Sequence, residues 1–159
     1  MEINVTIDGK LDGCPSESWL RRVVEQVLLT QGVGADAELG LMITSQEKVQ
    51  ELNRRYRGED RATDVLAFYM KSAEDETSPF VAPPDGILHL GEVVISYPQA
   101  VIQAQEHHHS LAEELAILLI HGVLHLLGYD HEKVAQKREM AAKERTILSQ
   151  VILEQEKER

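Results

Sequence analysis

The chain is poor in the residue types that mark disulfide-rich and membrane-spanning proteins. It has one cysteine, Cys14, so no intramolecular disulfide can form. The longest apolar run, Leu115 to Ile120, is interrupted by His121, and a transmembrane helix needs about 20 apolar residues. The first nine residues are too short and too acidic for a signal peptide. We therefore expect a cytoplasmic protein that has no membrane partner.

Basic residues are also scarce, with 16 lysines and arginines against 27 acidic residues and a net charge of −11. This balance excludes broad, nonspecific attraction to nucleic acid. A local exception is the cluster Arg54, Arg55, Arg57 and Arg61. For Arg54, Arg55 and Arg61 the favoured interpretation is a solvated helix end. Arg57 instead precedes Gly58 at a predicted helix–loop junction, from which it can reach a cleft and bind a phosphate through two hydrogen bonds.

The length of 159 residues, with 43% hydrophobic and 27% charged residues, is ordinary for one globular domain. We expect a single domain over residues 1–159, without repeats or linkers. Alternating and continuous apolar runs predict four strands, and helical stripes, most of them behind a helix-start signal, predict five helices. The predicted fold is α+β, with a small mixed sheet packed by about five helices. The strands are expected at 3–7, 38–44, 65–70 and 87–96.

Two tetrads match the capping box that opens many helices. Thr44-Ser-Gln-Glu47 predicts the start of the second helix, and Ser110-Leu-Ala-Glu113 that of the fourth. The fourth helix is apolar on nearly every side from Leu115 to Leu127, so it should be the buried centre of the fold. By contrast, residues 71–86 are acidic and contain three prolines, which predicts a long surface loop.

Three of the seven histidines lie within eleven residues, in the run His121-Gly-Val-Leu-His-Leu-Leu-Gly-Tyr-Asp-His131. His121 and His125 are four residues apart, so they share one face of a helix. His131 can join them only if the helix ends first. Gly128 can adopt the left-handed conformation that ends a helix and turns the chain back.

Three neutral imidazoles around one open position form a ligand set that catalytic zinc uses. Core packing is a weaker explanation, because burying three imidazoles without partners is costly. The spacing also matches the zinc-binding run of metzincin proteases. Those enzymes place a glutamate base after the first histidine, where this chain has Gly122. The predicted metal site therefore lacks the protease base.

The other candidate site residues have weaker support. His107, His108 and His109 are adjacent, and adjacent residues on a helix point in three directions. Histidines at a helix C-terminus also suit the helix dipole, so we predict that this tract is not a metal site. His89 alternates within a strand and is interpreted as structural. Cys14 has no neighbouring histidine and shows no sign of being a nucleophile.

The histidine run closely resembles the signature of the YbeY family of bacterial rRNA-maturation endoribonucleases. Two further stretches look like the same family. One is Leu52-Asn-Arg-Arg-Tyr-Arg-Gly58 followed by Thr63-Asp-Val-Leu-Ala-Phe68, and the other is Leu90-Gly-Glu-Val-Val-Ile-Ser96. Together they span residues 52–131. Ala67 departs from the serine that the family commonly has before the phenylalanine.

The resemblance implies one zinc ion per chain, held by His121, His125 and His131. It implies a single-strand-specific endoribonuclease that acts in 16S rRNA 3′-end maturation and ribosome quality control, with ribosomal particles or proteins as partners. The functional arginine of the family corresponds to Arg57. In this mechanism the metal activates water and Arg57 holds the phosphate. Asp130 either orients a ligand imidazole or is only a turn residue.

Two alternatives use the same zinc site. The chain is then either another zinc-dependent hydrolase, such as a peptidase, or a noncatalytic ribosome assembly factor stabilised by zinc. The missing base at Gly122 argues against the peptidase. The open coordination position argues against a structural zinc, which is usually held by four protein ligands.

Overall fold

A computed structural model of the protein describes residues 1–69, 86–129 and 134–157, without the side chains of 134–136 and 152–157. These residues form four strands and five helices. The elements follow one another as β1 (Glu2–Ile7), α1 (Glu17–Thr30), β2 (Ala37–Thr44), α2 (Gln46–Arg57), β3 (Val65–Tyr69), β4 (Leu88–Ser96), α3 (Tyr97–Glu106), α4 (Leu111–Leu126) and α5 (Val134–Lys157).

The strands form one mixed sheet in the order β1-β2-β4-β3. β1 pairs parallel with β2, and β2 pairs parallel with β4. β3 lies at the edge and runs antiparallel to β4. The prediction of an α+β fold with a small mixed sheet and five helices is confirmed.

Helices cover both faces of the sheet, because successive residues of a strand point to opposite faces. Val93 and Ile95 of β4 face the main core, which α1, α4 and α5 complete. Val94 faces the other way and packs with Val49 of α2 and Leu66 of β3 in a smaller cluster. β3 and β4 therefore lie between two helical layers.

Helix α4 is the buried centre of the main core, as its composition predicts. Ten of its residues are buried, and the helix packs against α1, α3, α5, β3 and β4. Ser110 caps it, accepting a hydrogen bond from the Glu113 backbone N–H at 3.1 Å. Among the described residues no single helix could cross a membrane, although the bent pair α3 and α4 passes by length and composition.

The predicted capping box at the start of α2 is wrong by one residue. Ser45 is the N-cap, and its Oγ accepts from the Lys48 N–H at 3.2 Å. Thr44 remains in β2, fully buried, and donates a hydrogen bond to Asp8 Oδ2 at 2.9 Å. The ladder to Ser96 of β4 holds Thr44 extended, so the helix begins one position later.

Other boundaries differ little from expectation. α3 ends at Glu106, before the three adjacent histidines. In α5, Met140, Ile147 and Val151 are buried, as the predicted amphipathic stripe requires. The predicted loop at 71–86 lies outside the described residues except for Gly86.

A candidate catalytic cleft

A surface cleft of about 340 Å³ lies where the C-terminal end of α2, strand β3 and helix α4 meet. It brings together Arg57 from α2 with His121 and His125 from α4. The other residues lining it are Asn53, Glu59, Arg61, Thr63, Asp64, Val65, Leu66, Ala67, Tyr69 and Gly122. Three of the four predicted site residues therefore share one cleft. His131 lies outside the described residues.

Local structure at the end of α2 places Arg57 at this cleft. Gly58 adopts a left-handed conformation, with φ of 72°, and ends the helix directly after Arg57. Buried Asn53 holds the following loop, because its Nδ2 donates to the Arg61 backbone carbonyl at 3.0 Å. Arg61 also lines the cleft, but its side chain is 74% exposed and pairs with Glu59 at 3.1 Å.

The histidine pair occupies one face of α4, as its spacing predicts. The ring centroids of His121 and His125 are 5.8 Å apart, and the rings are nearly perpendicular, at 81°. Gly128, with φ of 99°, has the predicted left-handed conformation just after the helix. The Tyr69 hydroxyl donates to the His125 carbonyl oxygen at 2.6 Å, which ties β3 to this turn of α4.

Glu144 of α5 orients the first histidine. Its Oε1 lies 2.9 Å from His121 Nδ1, and both side chains are about one third exposed or less. The hydrogen bond to Glu144 raises the pKa of His121, burial opposes this, and the charges of Glu144 and Asp64 add to the increase. With Nδ1 donating to a carboxylate, Nε2 becomes the coordinating atom, an arrangement common for metal-bound histidines. The described part of the donor set therefore fits a zinc ion.

Asp64 is a second carboxylate that contributes to the site. Its Oδ1 accepts from the Val65 N–H at 2.8 Å and from the Thr63 hydroxyl at 3.3 Å. Its Oδ2 lies 3.4 Å from Gln103 Nε2. These contacts hold the carboxylate at the wall of the cleft, where it acts electrostatically on His121.

Gly122 has a packing role that explains its place in the histidine run. A Cβ at this position would lie 2.7 Å from Val93 Cγ1 and 3.3 Å from Val65 Cγ2. The close approach of α4 to β4 and β3 thus requires glycine. A glutamate, which the metzincin pattern has here, cannot fit without moving the helix away from the sheet.

Sequence reasoning did not identify Glu144, Asp64 or Tyr69. Glu144 did leave a signal, because it lies on the same helical face as the buried stripe of Met140, Ile147 and Val151. A charged residue within such a stripe indicates a specific partner. Asp64 lies in one of the stretches that carry the family resemblance, but no local pattern assigns it a role. Arg54 and Arg55 are absent from the described lining of the cleft.

The structure corrects the geometric argument about the adjacent histidines. They follow α3 rather than continuing it, and His108 has a positive φ of 57°. His107 and His109 consequently lie side by side and form, with Glu114 of α4, a group that could hold a metal ion. Adjacent histidines point in different directions on a helix, but this segment is not helical.

Comparisons with known proteins agree with the fold. A single α+β domain that combines a mixed sheet with a buried helix carrying the histidine pair is the class that the structure defines. The sequence model of a family described as Endoribonuclease YbeY matches residues 4–152. The chain belongs to this YbeY family.

Curated relatives cover most of the chain. A protein from Dehalococcoides mccartyi named Endoribonuclease YbeY is 46% identical over 144 residues, covering 88% of this chain and 84% of the relative. Its namesake from Moorella thermoacetica is 45% identical over 134 residues, covering 84% and 85%. The solution structure of TM1509 from Thermotoga maritima superposes with a TM-score of 0.63 at 28% identity, covering 98% of this chain and 93% of that one.

Proposed function

We propose that the protein is a zinc-dependent endoribonuclease that hydrolyses phosphodiester bonds in single-stranded RNA. The observation that carries the proposal is the shared cleft, in which Arg57 meets His121 and His125 although the sequence separates them by more than sixty positions. An arginine that neutralises phosphate charge, beside a metal-binding histidine pair, is a workable phosphodiesterase site. Membership of the YbeY family supports the same reaction.

In this proposal His121, His125 and His131 hold one zinc ion per chain. Zinc at such a site supplies Lewis-acid polarisation and a water that is nucleophilic near neutral pH. Glu144 positions the His121 ring through the contact at Nδ1. Asp130, which lies outside the described residues, remains a proposed contributor next to His131.

Side chains of the cleft carry out the rest of the proposed reaction. Arg57 binds the phosphate and stabilises the charge that develops on it. We assign Asp64 as the acceptor of the proton from the attacking water, since it is a carboxylate in the same cleft. The glutamate base of the metzincins is absent, because its position is Gly122. Contacts with Val65 and Gln103 hold Asp64 in place during the reaction.

Aromatic side chains beside the cleft favour a single-stranded substrate. Tyr69 lines the cleft and is 47% exposed. On the neighbouring surface Tyr56, 64% exposed, packs against Phe68 with ring centroids 5.5 Å apart. Bases stack on such rings only when they are unpaired. The preference for single strands follows from this requirement.

We further propose that the substrate is 16S rRNA near its 3′ end, within late maturation and quality control of the small subunit in the cytoplasm. The family resemblance carries this assignment. The net charge of −11 supports a role for ribosomal particles or proteins as partners, because so acidic a chain gains little affinity from the RNA backbone alone.

The test is cleavage of a labelled single-stranded RNA by untagged protein, with zinc content measured in parallel. We expect His125→Ala to lose cleavage together with the zinc equivalent held at this cleft. Arg57→Ala should keep zinc and lose about 100-fold or more in rate, as for removal of one transition-state donor. Arg54→Ala is the matched control, an exposed arginine of the same helix outside the described cleft lining, and should cleave normally.

Other results would overturn the proposal. Equal cleavage by wild type and His125→Ala would identify a contaminating ribonuclease. Zinc binding without any RNA cleavage, on ribosomal particles as well as on free RNA, would favour the noncatalytic assembly factor. Hydrolysis of casein or a peptide library instead of RNA would favour the zinc peptidase.

A further inference from the structure

The corner between α3 and α4 holds a second cluster of metal-ligating side chains, away from the lining of the cleft. His107 follows α3 directly, and His109 lies just before the Ser110 cap of α4. His108 between them is the one non-glycine residue with positive φ in the described part of the chain. This unfavourable conformation sets the two flanking rings side by side, with centroids 5.8 Å apart.

A buried carboxylate faces these rings. Glu114 is only 1% exposed, and an ionised carboxylate is costly to bury without compensation. Its Oε1 accepts a hydrogen bond from Gln103 Nε2 at 3.1 Å, and its Oε2 lies 3.4 Å from His107 Nδ1. Beside the Gln103 amide, the carboxylate therefore faces the histidine side of the corner.

We propose that His107, His109 and Glu114 bind a divalent transition-metal ion. One ligand atom from each residue lies within 4.8 Å of the other two. Two ligands of a tetrahedral zinc ion, each about 2.1 Å from the metal, are about 3.4 Å apart. That is the separation of His107 Nδ1 and Glu114 Oε2, 3.4 Å.

The solvent exposures of His107 and His109 indicate how these two side chains would bind the ion. The side chain of His109 is 31% exposed and lies 3.3 Å from Glu113 Oε2, so a rotation about its side-chain bonds can bring it to the ion. The His107 side chain is 53% exposed, which leaves a coordination position toward solvent. Two imidazoles and one carboxylate suit zinc and its neighbours better than magnesium or calcium.

Such an ion would connect the two helices and act on the cleft indirectly. It would compensate the buried charge of Glu114, whose partner Gln103 also lies 3.4 Å from Asp64 Oδ2. The ion is therefore a structural element that stabilises the corner and, through Gln103, the wall of the cleft. In the competing arrangement, His107 and His109 pair only with Glu114 and Glu113 and no metal binds.

The experiment measures zinc stoichiometry of untagged, metal-free protein by equilibrium dialysis and elemental analysis. The main variant is His109→Ala, because it leaves the contacts of Glu114 with Gln103 and His107 intact. The matched control is His108→Asn, a change at a neighbouring histidine outside the group, because asparagine tolerates the positive φ of this position. We expect wild type and His108→Asn to bind one equivalent of zinc more than His109→Ala.

A second comparison separates this site from the proposed catalytic one. His125→Ala should still bind the corner equivalent, and adding His109→Ala should remove it. The thermal stabilisation by zinc in His125→Ala should likewise be lost with His109→Ala. The inference is overturned if His109→Ala binds as much zinc as wild type, or if His108→Asn loses the same equivalent, since the latter would indicate nonspecific binding to a histidine tract.

Discussion

Replacing Gly122 by alanine tests how closely α4 packs on the sheet. The added methyl group would lie 2.7 Å from Val93 Cγ1, 3.2 Å from Val93 Cγ2 and 3.3 Å from Val65 Cγ2. Ordinary carbon contacts are about 3.5–4.0 Å, so the shortest contact is too close by roughly 1 Å. Val93 is fully buried and β-branched, and its stiff side chain cannot easily rotate away.

Two opposing contributions decide whether Gly122→Ala raises or lowers the free energy of unfolding. Overpacking of this kind costs about 3 kcal/mol, near the upper end of its usual range, whereas alanine gains about 1 kcal/mol over glycine inside a helix. We therefore expect Gly122→Ala to lower the free energy of unfolding by about 2 kcal/mol, which lowers Tm by about 4–8 °C in a domain of this size.

Urea denaturation and calorimetry measure this change. Gly34→Ala is the matched control, because a Cβ at Gly34 would have no atom within 4 Å. Adding Val93→Ala to Gly122→Ala should remove the steric clash, giving a coupling energy of about 1 kcal/mol or more. Unchanged or increased stability of Gly122→Ala would refute the packing argument. Cleavage should also fall, because a shift of α4 moves His121 and His125, and misplacement by about 1 Å can cost 100-fold.

Three further predictions concern other contacts. Glu144→Gln should weaken zinc binding about 10-fold, since removal of a carboxylate partner of a ligand histidine costs 10–100-fold, and competition with a chromogenic chelator measures this. Gly91→Ala should destabilise the fold by about 3 kcal/mol, because at φ of 129° a Cβ would overlap the Phe68 carbonyl oxygen. Burial raises the pKa of the Cys14 thiol, so iodoacetamide near pH 8 should modify folded protein more slowly than unfolded protein.

Each of these has its own control. For zinc affinity it is Glu139→Gln, an exposed position on α5, and equal affinities for the two variants would rule out a role for Glu144. For Gly91 the control is again Gly34→Ala, and a wild-type urea midpoint for Gly91→Ala would contradict the close approach of β3 and β4. For the thiol, equal rates in folded and urea-unfolded protein would show that Cys14 is not protected.

The secondary structure was largely predictable because its signals are local. Ser16 and Ser110 cap α1 and α4, and Gly58 ends α2 by a left-handed turn. A helix depends on residues three or four positions away and on its caps, and these are visible in the chain. The capping box at Thr44 was misjudged because pairing with Ser96 of β4 and a contact with Asp8 hold that threonine in the strand.

In the candidate site, too, the sequence predicted the local features and the tertiary structure decided the rest. Spacing alone predicted that His121 and His125 share a helical face and that Gly128 turns the chain, since helix geometry determines both. Only the tertiary structure could bring Arg57 to them, because that meeting depends on the β1-β2-β4-β3 strand order and on the packing of α4 against β3. The packing of α4 against α5 places Glu144 at His121, and its packing against α3 places Glu114 at His107. These contacts join residues on different elements, and no local pattern encodes the distance between them.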